Sequence, residues 1–148
     1  MKSKVKSTFV LILTAIATAA INYSIFNSDL VFLLLIILVL IAHELGHYFT
    51  AILNGAQADI PYIIPLPLIA IGITRIKNFN TLSPKVKRSI LVNGPLYGVI
   101  TSIILFLYLL VNPIISPYLM IFVVLFEIIL NYFGSDGIRY RKIGKEIS

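Results

Sequence analysis

The 148-residue chain contains no cysteine, no tryptophan and just two histidines, and only 12% of its residues are charged. Without thiols there is no disulfide and no thiolate metal ligand, so any metal has to be held by nitrogen and oxygen donors. The scarcity of charge, against 59% hydrophobic residues, excludes an ordinary soluble domain and points to a single integral membrane domain over residues 1–148. A formal net charge of +6 would suit a polyanion, but its distribution does not. The basic residues fall into three clusters: Lys2, Lys4 and Lys6; Arg75, Lys77, Lys85, Lys87 and Arg88; Arg139, Arg141, Lys142 and Lys145. They flank apolar stretches, which is a topology signal. The expected partner is a lipid bilayer, with no nucleic acid.

In place of charge the chain has long apolar runs. Four read as transmembrane helices, roughly residues 8–26, 30–53, 89–111 and 118–133. A basic start before the first run resembles a signal peptide, but a second span follows after only Asn27-Ser28-Asp29, so the run reads as a retained helix. Asn54-Gly55 supplies a C-terminal cap for the second helix. Ile60–Ile73 is apolar yet carries Pro61, Pro65 and Pro67, which rule out a regular helix. Non-helical backbone at membrane depth must be buried in protein or line a wet cavity. The expected fold is therefore an all-α membrane protein of four transmembrane helices, with a proline-rich re-entrant or extended loop between helices 2 and 3. Gly134-Ser135-Asp136-Gly137 is expected to break the fourth helix and release a basic tail onto the membrane surface. The connections around Asp29 and Pro113 carry no Lys or Arg, so the positive-inside rule places both termini and the 75–88 loop in the cytoplasm of a multi-pass cell-membrane protein.

Within the second apolar run the ionisable side chains are His43, Glu44 and His47, in the string His43-Glu44-Leu45-Gly46-His47. Two imidazoles at i and i+4 lie one above the other on a helix face and can reach one metal ion. Glu44 projects beside them, placed to take a proton from the attacking water. Polar residues inside a span can also act merely as glue between helices. Ionisable groups at membrane depth nevertheless mark functional sites by default.

A catalytic zinc site needs a third protein ligand and an open position. The candidates are carboxylates. Asp29 lies at the opposite membrane face, and Asp59 follows the second helix closely enough to reach back. Glu127 and Asp136 belong to the fourth helix and its end. At 1.5 Å per residue, His43 and His47 lie roughly 20–26 Å along the second helix, Glu127 about 14 Å along the fourth, and Asp136 about 27 Å. Depth favours Asp136, and Gly134 and Gly137 would let its backbone turn inward. Glu127 reads better as a bundle hydrogen-bonding residue. Gly94 and Gly98 form a small-xxx-small pair suited to close helix packing.

Four features in order resemble the site-2 protease family of intramembrane metalloproteases. They are His43–His47, the proline-rich Ile60–Gly72, Asn93-Gly94-Pro95, and Asn131 through Asp136-Gly137, together spanning roughly Leu30 to Arg139. The resemblance implies one zinc ion held by His43, His47 and Asp136. This chain departs from the family by a compressed spacer after Asn131 that lacks a proline, and by Gly98 where an asparagine is common.

The expected function is a zinc endopeptidase that cuts transmembrane segments of other proteins near the cytoplasmic side, with Glu44 as the base. A substrate helix must unwind before one of its carbonyls can meet the metal. The extended Ile60–Gly72 segment could pair with the unwound strand. Ile64, Pro65 and Asn131 are the candidate substrate contacts. A silent zinc-binding scaffold would have no need of Glu44, and a metal or proton transporter fits poorly with a short chain without repeats.

Overall fold

The computed structural model describes residues 9–17, 20, 30–65, 70–114 and 116–145. The first expected span falls partly outside these residues; 9–17 is helical and is labelled α1. Next comes α2, Leu30–Leu53, long and apolar enough to cross a membrane. It ends as its sequence demands. Gly55 takes a φ of 75°, Ala56 N–H reaches back to Ala51 O at 2.9 Å and Gly55 N–H to Ile52 O at 3.0 Å. These two bonds satisfy carbonyls that a helix end would leave orphaned.

The proline-rich segment is extended. Tyr62–Pro65 (β1) and Ala70–Ile73 (β2) pair antiparallel in the register Tyr62↔Ile73, Ile63↔Gly72, Ile64↔Ile71 and Pro65↔Ala70. The ribbon continues outward through Asp59 N–H to Arg75 O at 3.0 Å and Lys77 N–H to Gln57 O at 2.8 Å. Proline is tolerated here because it stands at the start and end of a two-stranded ribbon, where a missing N–H is affordable. Ile63 N–H donates to Thr14 Oγ1 at 3.3 Å, and Leu11 and Ala15 pack with Ile37 and Ile63, so α1 flanks the hairpin and α2.

Helix α3 spans Pro84–Val111, also long enough to cross a membrane, and begins five residues before the expected Ser89. The expectation followed the apolar run. The local signal is a cap: Ser83 accepts from Val86 N–H at 3.4 Å and Pro84 occupies the first turn. Lys85, Lys87 and Arg88 therefore ride on the first turns of the helix rather than in a loop.

Helix α4, Tyr118–Phe133, matches the expected bounds. The expected break is confined to Gly134. The chain resumes at once as α5, Ser135–Lys145, bent by 46° from α4. A Cβ on Gly137 would collide with the carbonyl oxygens of Asn131 and Tyr132, so this close turn needs glycine. The tail is thus a helix docked on the bundle. Arg88 Nη2 donates to Tyr140 OH at 2.6 Å with its guanidinium 4.4 Å from that ring, and Arg141 Nη1 donates to Tyr132 O at 2.6 Å. Among the described residues two helices are long and apolar enough to span a membrane, and the bent α4–α5 pair counts as a third if it is one span.

Val39, Leu109, Met120 and Val123 pack α2, α3 and α4 together. A second cluster, Ala51, Ala56 and Ile90, joins the end of α2 to the start of α3. Where α2 meets α3 the backbones nearly touch: a Cβ on Gly46 would strike Asn93 O, and one on Gly94 would strike the His47 ring.

Candidate metal centre

His43, Glu44 and His47 are 8%, 7% and 6% exposed, so three ionisable groups lie buried on one helix. Each imidazole is oriented through its Nδ1. His47 Nδ1 lies 2.8 Å from Ile90 O, an acceptor only, so that nitrogen carries the proton. His43 Nδ1 lies 3.1 Å from Glu127 Oε2, which fixes the same tautomer beside a carboxylate. Both Nε2 atoms are then left with bare lone pairs, and they face each other 3.2 Å apart.

Asp136 Oδ2 completes the group, 3.0 Å from His47 Nε2 and 3.7 Å from His43 Nε2. Three lone-pair donors turned toward one point repel one another unless a cation lies between them. A tetrahedral zinc with donor bonds of about 2.0–2.2 Å has donor–donor edges of roughly 3.3–3.6 Å. The three separations bracket that edge, and the donor set is nitrogen and oxygen. The residues fit zinc. Among the described residues this is the cluster of three potential ligands that could hold a metal.

The remaining candidates are placed elsewhere. Asp59 pairs with Lys77 at 2.9 Å and does not reach the histidines. Glu127 does bridge helices, as expected of a hydrogen-bonding residue, but its partner is His43, so it orients a donor atom. Gly98 makes that possible: a Cβ there would lie 3.1 Å from the Glu127 carboxylate. Any side chain at Gly98 would therefore press on the Glu127 carboxylate between α3 and α4. Asn131 Nδ2 donates to Glu127 Oε2 and to Glu127 O, both at 2.6 Å, which ties it to the carboxylate behind the centre.

In front of the centre is a cleft of about 330 Å³. Glu44, His47 and Asp136 open into it, with Arg139 as the cation of its lining. Its other wall is β2 and the residues after it, Ile71, Gly72, Ile73 and Thr74. Ile64 and Pro65 sit on the partner strand β1, and Ile64 is not among the described residues that line the cleft. Sequence reasoning missed Thr74 and Arg139. Arg139 follows Asp136 by three, hence shares its helix face, and that spacing could have found it. No comparable signal marks Thr74.

Two histidines one helical turn apart and a carboxylate from a distant helix form a group that could hold a metal ion, with a buried glutamate beside it. The model of peptidase family M50, the site-2 protease family, matches residues 31–142, and the chain belongs to that family. No curated protein and no solved structure matches the chain.

Proposed function

We propose that the protein is an intramembrane zinc endopeptidase that cuts transmembrane segments of other membrane proteins near the cytoplasmic side. The observation that carries this reading is the convergence of His43, His47 and Asp136 on one point with Glu44 opening into the same cleft. His43, His47 and Asp136 would hold the zinc. When bound, zinc supplies Lewis acidity toward the scissile carbonyl and lowers the pKa of water at its open position. Glu44 takes the proton of the attacking water and returns it to the leaving nitrogen. The tautomers set by Ile90 O and Glu127 keep both Nε2 atoms free for the metal. An unwound substrate lies along Ile71–Ile73, where β2 offers backbone groups for strand pairing.

Glu44→Gln removes the base and leaves every proposed ligand in place. Mass spectrometry of membrane-protein fragments from cells carrying the wild-type or the Glu44→Gln protein is the test. Fragments with new termini inside apolar segments are expected with the wild type alone, while both purified proteins hold zinc. The same fragments from both would overturn the peptidase reading.

A further inference from the structure

Strand β2 and the residue just beyond it meet Glu44 from one side. Gly72 and Thr74 are two apart in extended chain and so point to the same side. A Cβ on Gly72 would collide with Glu44 Cγ and lie 2.6 Å from Oε1 and 2.7 Å from Cδ. Only glycine lets the strand lie this close. Thr74 Oγ1 stands 2.6 Å from Glu44 Oε2 and 3.0 Å from Glu44 O. A hydroxyl has one proton to give, and an ionised carboxylate is the stronger acceptor.

We propose that Thr74 is a positioning residue for Glu44, holding the carboxylate of the base from the strand opposite its own helix. The inference rests on the peptidase reading of the site. A glutamate carries three freely turning side-chain bonds, and α2 fixes none beyond the first. The Thr74 hydroxyl fixes the far end. It also serves both states of the base. With Glu44 ionised, the hydroxyl donates to Oε2. Once Glu44 has taken the water proton on Oε1, Oε2 is the carbonyl oxygen of the neutral carboxyl and still accepts from the hydroxyl. The threonine proton never leaves; the proton that moves goes from water to Glu44 to the leaving nitrogen. Because Ile71, Gly72 and Ile73, just before Thr74, line the cleft, the segment that meets the substrate also aims the base.

The test uses zinc-loaded wild type, Thr74→Val and Thr74→Ser in detergent. The probe is a synthetic single-span peptide with Gly-Pro near one end, carrying a fluorophore and quencher. Thr74→Val keeps the shape and loses the hydroxyl. It is expected to lower kcat roughly tenfold or more, with KM and zinc content unchanged, and Thr74→Ser to restore most of kcat. A kcat for Thr74→Val within about twofold of wild type overturns the proposal. So does a loss in KM alone, since that marks a substrate contact. A zinc-loaded wild type that cuts neither the peptide nor any cellular protein fails the peptidase reading itself. In that case the Thr74–Glu44 contact is structural only.

Discussion

Asp136 and Glu127 are both carboxylates against histidines, yet they meet different nitrogens, and that difference predicts different losses. Asp136 Oδ2 faces His47 Nε2, on the side where the three donor atoms converge, whereas Glu127 Oε2 faces His43 Nδ1, away from it. Asp136→Asn is expected to abolish zinc retention, as is His47→Ala. Glu127→Gln should keep zinc at saturation and weaken its affinity about 10–100-fold, the usual effect of losing a partner behind a ligand. Metal analysis and chelator competition on the three purified variants decide this. Full zinc in Asp136→Asn with loss in Glu127→Gln would transfer the ligand role to Glu127. At this scale the sequence was most legible where spacing is local. His43, Glu44 and His47 announce themselves because a helix has a fixed period. Asp136 could be placed at their depth because helical rise is constant. The partner of Glu127 could not be read, since it depends on which faces of α2 and α4 meet. Thr74 was invisible for a similar reason: a hydroxyl joins the base only through the register of a hairpin.

Elements bring these residues together by approaching more closely than side chains normally permit. Gly46 and Gly94 let α2 and α3 touch, and the result is the bond from His47 Nδ1 to Ile90 O. Gly94→Ala places a methyl group against the His47 ring, so it should weaken zinc binding more than tenfold while leaving helix content intact. Gly144→Ala is the control, since a Cβ there meets nothing within 4 Å. Circular dichroism beside zinc titration reads both. Wild-type affinity in Gly94→Ala would show that the helices can part without moving the ligand. The elements themselves were only partly legible. The bounds of α2 and α4 followed from apolar runs with turn residues at their ends. The start of α3 precedes its apolar run because Ser83 and Pro84 cap a first turn that carries charged side chains. The prolines of Ile60–Ile73 excluded a helix, but hairpin pairing is a relation between two segments and no single one encodes it.

The molecule as a whole has a basic end. Arg88 of the second cluster grips Tyr140, which lies within the third, so these two clusters sit together at one end of the bundle. That contact puts the start of α3 and α5 on one side of the molecule, and the positive-inside rule predicts that this side is cytoplasmic. Because the chain has no cysteine, single cysteines give clean labels. In intact cells, cysteines replacing Lys4, Lys85 or Lys142 should be shielded from an impermeant thiol reagent, and one replacing Ser28 should react. Labelling at position 85 from outside would reverse the orientation and move the proposed site to the other face.

Asp136 is synthesised 89 residues after His47, on the far side of the bend at Gly134. During biosynthesis the two histidines and Glu44 therefore enter the bilayer long before their third donor exists. An unfinished chain offers two imidazoles to a metal, a set too small to hold a catalytic ion. Only when α4 has been inserted and α5 has folded back beneath Arg88 is the donor set complete. The order in which the polypeptide is made thus leaves the group of three candidate donors incomplete until α5 is in place.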